Sequence, residues 1–120
     1  MFNFFGRRRC RCASRNLIYN LVNYDIAKKL IEDSNNILID VRTKREYDIM
    51  HILNAVNIPV DNLKMCEEEY KHKNAIIIYC SSGIRTKEAI YILNSLGYTN
   101  IYIWEYGSLS NFPYKDMIKM

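Results

Sequence analysis

One stretch of the chain combines a nucleophile, small turn residues and a cation at close spacing. It reads Cys80, Ser81, Ser82, Gly83, Ile84, Arg85 and Thr86, here called the cysteine loop. The thiolate is the reactive form of cysteine, and nearby positive charge or N–H donors stabilise it. Arg85 is the candidate cation, and small residues after Cys80 let successive backbone amides turn toward the sulfur. The pattern predicts an anion-stabilising loop around a nucleophilic cysteine.

The elements on either side of the loop predict how it is held. Residues 75–79 are apolar without alternation, which is typical of a strand covered on both faces. Apolar residues in 89–96 recur at helical spacing as far as Gly97, the expected C-terminal stop. Cys80 is therefore expected at a strand-to-helix junction, where the first helical turn presents free N–H groups and partial positive charge.

The cysteine loop resembles the active-site loop of the rhodanese family of sulfurtransferases, C-x-x-G-x-R-[ST]. Residues 39–47 and 51–59 resemble a second family signature, Asp-Val-Arg followed by an acidic helix and His-Ile…Ala-x-Asn-Ile-Pro. Residues 105–114 resemble the segment that closes many single-domain members. The three motifs stand in the family's order, which favours the same fold.

The resemblance implies a two-step sulfur transfer. The Cys80 thiolate takes the outer sulfur of a donor such as thiosulfate or a persulfide, and then holds it as a persulfide for a thiol or protein acceptor. The loop residues Ser81 to Thr86 are expected to bind the donor, with Arg85 drawing the anion or ordering the loop. No cofactor and no metal are expected.

Asp40 and Arg42 end a predicted parallel strand, at the sheet edge where ligands gather. Arg42 is for that reason a candidate donor-binding residue. The favoured interpretation is that both residues anchor loops by hydrogen bonds and an ion pair, and the resemblance also casts the aspartate as structural. His51 is expected to pack or hydrogen bond rather than act as a base. Asn54 replaces a usual glycine, but asparagine tolerates the left-handed conformation, so the turn can still form.

Two other functions fit parts of the pattern. A cysteine-dependent phosphatase or arsenate reductase also uses a cysteine loop that ends in arginine, but needs C-x5-R to wrap a tetrahedral oxyanion, whereas Cys80 to Arg85 is C-x4-R. A rhodanese-like relay or binding module with little turnover would use the same edge. Inactive members commonly lack the cysteine, which is present here.

Apolar segments alternating with helical ones predict an α/β fold, a three-layer α/β/α domain with a mainly parallel sheet of about five strands. A first strand is expected within 17–21, followed by a helix capped by Asn23. Thr43 and Glu46 have the spacing of a capping box. A further helix is expected from Asp61 to about residue 71, with i,i+4 pairs of Glu67 with Lys71 and Glu69 with Lys73 on its solvated face.

Composition bounds the remaining possibilities. The chain has 120 residues and a net charge of +4, with five of its 17 basic residues before the first acidic one. We expect a basic, flexible tail over 1–15 and a single rhodanese-like domain over 16–120, nearly neutral and therefore not suited to nucleic acid. The apolar run near the N-terminus is too short for an export signal or a membrane span, so a reducing cytoplasm with free thiols is expected. Cys10 and Cys12 lack partners for a tetrahedral metal site.

Overall fold

A parallel sheet forms the centre of the molecule. The computed structural model describes residues 16–120; within them the sheet runs β1-β6-β5-β2-β4, all parallel. The strands are β1 (Asn20–Leu21), β2 (Ile37–Asp40), β4 (Val56–Asn57), β5 (Ile76–Tyr79) and β6 (Ile101–Ile103). A separate antiparallel pair joins β3 (His51–Ile52) to β7 (Ile118–Lys119). The predicted fold class is confirmed, although the first strand is shorter than residues 17–21.

Three α-helices lie in this part of the chain: α1 (Tyr24–Glu32), α2 (Lys44–Ile49) and α3 (Ile84–Ser95). Asn23 caps α1 by accepting from the Ile26 N–H, and the Thr43–Glu46 capping box starts α2, as predicted. Gly97, with φ +97°, ends the turn after α3. Of the helices described, none is long and apolar enough to cross a membrane. The predicted tail, with Cys10 and Cys12, lies outside the described residues.

The two faces of the sheet bury different clusters. Because side chains alternate along a strand, β2 and β5 send successive residues to opposite faces. Cys80 lies on the face covered by α3, and Tyr79 on the face covered by α1 and by residues 104–112. This burial on both sides explains why the strands are apolar without alternation.

The helix expected from Asp61 to residue 71 is a wrong prediction. That segment contains two short 3-10 turns, Val60–Asn62 and Glu67–Glu69. The buried Tyr70 side chain donates from its hydroxyl to the Leu63 carbonyl at 2.8 Å, and thus bonds the oxygen that a continuous helix would pair with the amide of Glu67. The expected i,i+4 ion pairs do not form here; Lys71 pairs with Glu68 instead.

The ends of β2 and β5 lie level with each other. Asp40 is the register partner of Tyr79, so the segments that leave the two strands start side by side at one edge of the sheet. The start of α2 and the cysteine loop are thereby neighbours, although they are separated in sequence.

Candidate active site

Cys80 is held in place by its backbone. It follows the last residue of β5, its N–H donates to the Gly107 carbonyl at 3.0 Å, and its own carbonyl accepts from the Leu109 N–H at 2.7 Å. The residue is 1% exposed and carries a free thiol. The strand-to-helix junction predicted for the cysteine is therefore present, with a fixed main chain and a sheltered sulfur.

The amide of Gly83 points at the sulfur. Its N–H donates to Cys80 Sγ at 2.9 Å, and Gly83 is also the residue that precedes the first turn of α3. Among residues 16–120, the Gly83 amide is the one loop amide that bonds the sulfur. The prediction that several successive amides do so is therefore wrong. Gly83 has φ +104°, and a Cβ there would lie 2.2 Å from the Tyr106 carbonyl oxygen. Only glycine fits this turn without displacement of the main chain.

Glu46 ties the start of α2 to the cysteine loop. Its carboxylate accepts from the two terminal guanidinium nitrogens of Arg85, at 2.6 and 3.0 Å, and from the Ser81 hydroxyl at 3.2 Å. The same carboxylate accepts from the Thr43 N–H at 3.0 Å. Arg85 and Glu46 side chains are each about one third exposed, at 32% and 34%. The bidentate geometry fixes Arg85 against α2 rather than leaving it extended into solvent.

The protonation of this pair follows from its contacts. The hydrogen bonds from Arg85 lower the pKa of Glu46, burial opposes them, and the contacts from Thr43 add to them. The same hydrogen bonds raise the pKa of Arg85, burial opposes them, and the negative charge of Glu46 adds to them. Glu46 is therefore a carboxylate and Arg85 a cation at neutral pH.

Arg42 lies buried beside the site. It donates bidentately to Asp40, with the shortest contact 2.8 Å, and also donates to the Met50 carbonyl. Burial lowers the pKa of Arg42, but the hydrogen bonds and charge of Asp40 outweigh it, and the net shift is upward. These contacts fit the favoured anchoring role. A donor-binding role for Arg42 stays a prediction.

The remaining predicted residues have distinct placements. Ser82 and Ile84 are exposed on the outside of the loop, and Thr86 is buried, donating from its hydroxyl to the Gly107 carbonyl at 2.9 Å. His51 stacks on Tyr47, with its Nδ1 2.7 Å from the Tyr47 carbonyl oxygen. Those contacts match the packing role expected for the histidine, and they make Thr86 a support of the loop.

Sequence reasoning assigned Glu46 a helix-capping role and missed its contact with the loop. The signal that could have found it is its place just after β2, since parallel strands bring their carboxyl ends to one edge. Among residues 16–120, no three His, Cys, Asp or Glu side chains converge as a metal site requires. What the arrangement can do is hold an anionic sulfur at the Gly83 amide, beside a balanced pair of charges.

Comparison with known proteins agrees with this geometry. The family model described as "Rhodanese-like domain" matches residues 23–110. The tRNA uridine(34) hydroxylase of Yersinia pestis is 30% identical over 89 residues, which are 69% of this chain and 25% of that protein. The chain thus spans about a quarter of the length of the curated relatives it matches.

Solved structures share the fold. A rhodanese-related protein from Thermoplasma volcanium is 26% identical, with a TM-score of 0.65, over 78% of this chain and 90% of that one. A structure described as a rhodanese with anions, from E. coli, is 32% identical, with a TM-score of 0.52, over 56% of this chain and 81% of that one. The family model covers most of the chain, and the cysteine, its loop and the sheet are in place. The chain therefore belongs to the rhodanese-like domain family.

Proposed function

We propose that the protein is a sulfurtransferase that carries sulfur as a persulfide on Cys80. The observation that supports this most directly is the 2.9 Å contact of the Gly83 N–H with Cys80 Sγ, at the start of α3. A donor amide at a helix N-terminus stabilises negative charge on the sulfur it faces.

In the first step the Cys80 thiolate attacks the outer sulfur of the donor. A new S–S bond forms at Cys80 while the donor's own S–S bond breaks, and the bonding electrons leave with the departing group. Thiosulfate releases sulfite; a persulfide releases a thiolate, which takes up the proton when the persulfide was protonated. No oxidant or reductant is required.

In the second step the Cys80 persulfide gives its outer sulfur to an acceptor. A thiolate of a small molecule or of a partner protein attacks that sulfur, and the Cys80 thiolate is the leaving group. Negative charge lies next to the Gly83 amide before and after each transfer, so the same N–H group stabilises it in both steps. A reducing compartment, such as the cytoplasm, would keep the thiol free between turnovers.

The test is the intact mass of the purified protein after incubation with thiosulfate or with a low-molecular-weight persulfide. The expected result is a gain of one sulfur atom that maps to Cys80, is removed by added thiol or cyanide, and is absent in Cys80→Ser. Circular dichroism of the variant checks that its fold is retained. No adduct from either donor would overturn the proposal and favour a binding module.

A second assay separates the named alternatives. Similarity to tRNA uridine(34) hydroxylases suggests a contribution to tRNA modification, although this chain spans a quarter of their length. The same preparation is therefore incubated with tRNA and with a phosphate ester. Hydroxylated uridine without a Cys80 adduct would replace the sulfurtransferase assignment, and phosphate release would assign phosphatase chemistry.

A further inference from the structure

The charge of the cysteine loop is balanced before any donor binds. Arg85 is its single cationic residue, since the loop otherwise contains cysteine, serines, glycine, isoleucine and threonine. Both terminal nitrogens of Arg85 donate to Glu46, which lies 39 residues earlier in the chain. The loop cation is therefore committed to a carboxylate of α2.

Two neighbouring cations are also paired with acids. Arg42 is paired with Asp40, and Lys44 with Asp48 at 2.8 Å. Lys87 lines a groove on the Tyr106 side of the loop, a groove that Glu105 also lines. Three cations near the site, Arg42, Lys44 and Arg85, are thus already held in ion pairs.

We infer that Glu46 determines donor specificity, because it cancels the charge of Arg85 and favours persulfide donors over the thiosulfate dianion. The inference rests on the proposed function. A dianion that approaches the Cys80 thiolate needs compensating positive charge, whereas a persulfide carries one negative charge or none. When the charge of Arg85 is cancelled, a persulfide therefore loses less electrostatic attraction to the site than the thiosulfate dianion does. Glu46 acts through Arg85 and is a specificity residue rather than a catalytic one.

The variant that tests this is Glu46→Gln. Glutamine at this position also completes a capping box, so the start of α2 keeps its hydrogen bonds while the carboxylate charge is removed. The matched control is Asp48→Asn, which removes one charge from the same helix at a residue paired with Lys44 and not with the loop.

Donor preference is the first readout. We take the unmasked Arg85 to raise kcat/KM about threefold for each negative charge on the donor. The rise is then about tenfold for thiosulfate and at most about threefold for a persulfide. The gain for thiosulfate should shrink as ionic strength increases, because the unmasked charge is partly exposed. Asp48→Asn should change kcat/KM for either donor by no more than about twofold.

The second readout needs no turnover. Cys80 is alkylated with iodoacetate, an anion, or with iodoacetamide, its neutral counterpart of similar size. Peptide mapping measures the rate of each reaction at Cys80. Their rate ratio cancels differences in access to the buried thiol and reports the local potential. It should rise about threefold in Glu46→Gln and stay unchanged in Asp48→Asn.

The outcomes separate the two claims. Suppose that wild-type protein forms the Cys80 persulfide, but that Glu46→Gln changes kcat/KM by the same factor for both donors and leaves the alkylation ratio unchanged. The specificity inference is then wrong, while the proposed sulfurtransferase function stands. If wild-type protein forms no persulfide with any donor, the proposed function fails and donor selection by Glu46 fails with it. A raised alkylation ratio together with a selective gain for thiosulfate supports the inference.

Discussion

Replacing Gly83 with alanine tests whether the loop is fixed around Cys80 by its main chain. The new Cβ would lie 2.2 Å from the Tyr106 carbonyl oxygen, in a residue whose φ is +104°. The positive φ costs an L-residue about 1–2 kcal/mol. Displacing a packed main-chain oxygen adds about 1–3 kcal/mol. We expect Gly83→Ala to lower the free energy of unfolding by about 2–5 kcal/mol, against a usual total of about 5–15 kcal/mol.

Gly97 offers the matched control for this substitution. It has a similar φ of +97°, but nothing lies within 4 Å of the Cβ that alanine would add. Gly97→Ala therefore carries the conformational cost alone, about 1–2 kcal/mol. The difference between the two variants measures the contact with Tyr106, and urea unfolding of both variants and of the wild type gives it directly.

Activity supplies the second half of the test. Loss of the hydrogen bond from the Gly83 amide to Cys80 Sγ should slow persulfide formation by about 100- to 1,000-fold, since a lost donor of this kind typically costs about 2.7–4 kcal/mol. Gly97→Ala should form the persulfide at the wild-type rate. Equal losses of stability in the two glycine variants would refute the reasoning, because they would mean that the Tyr106 carbonyl yields without cost.

Three further predictions concern the ion pairs. Asp40→Asn leaves Arg42 buried without its counter-ion and should cost about 3–5 kcal/mol, whereas Asp48→Asn, in an exposed pair, should cost under about 1 kcal/mol; urea midpoints compare them. The hydrogen bonds from Arg85 lower the pKa of Glu46 in the folded state. The ionised Glu46 therefore stabilises the fold fully above about pH 4.3, and this stabilisation is lost progressively as the pH falls below that value. The stability difference between wild type and Glu46→Gln should therefore shrink in acid, and a pH-independent difference would contradict the ion pair. Arg85→Ala leaves the Glu46 charge unbalanced and should lower kcat/KM more for thiosulfate than for a persulfide; an equal loss would indicate a purely structural arginine.

Features governed by local sequence were predictable. The apolar run before Cys80, the glycine in the loop and the helical spacing after it fixed the strand, the turn and α3, because each depends on neighbours in the chain. Asn54 adopts the left-handed conformation that asparagine tolerates, with φ 72°. The caps at Asn23 and Thr43 are local as well, and both are present.

Features that depend on tertiary contacts were not predictable. The contact of Glu46 with the loop depends on β2 and β5 ending level with each other; the place of Glu46 just after β2 indicated the shared edge of the sheet, but not which side chains would meet there. Tyr106, with φ 65°, is held in the left-handed region although its sequence gives no turn signal of its own. In the segment after Asp61, the tertiary burial of Tyr70 overrode helical spacing.

In the proposed sulfur transfer, the main-chain hydrogen bonds of Cys80 to Gly107 and Leu109 would make the cysteine a stationary carrier. A sulfur bound there is displaced from Sγ by one S–S bond, about 2 Å, and has no flexible arm to take it elsewhere. Under the proposed function, delivery would depend on the acceptor, whose thiol would have to be on a narrow or extended group to reach a cysteine that is 1% exposed. A bulky acceptor surface that cannot project a single side chain into the loop would be excluded by geometry alone.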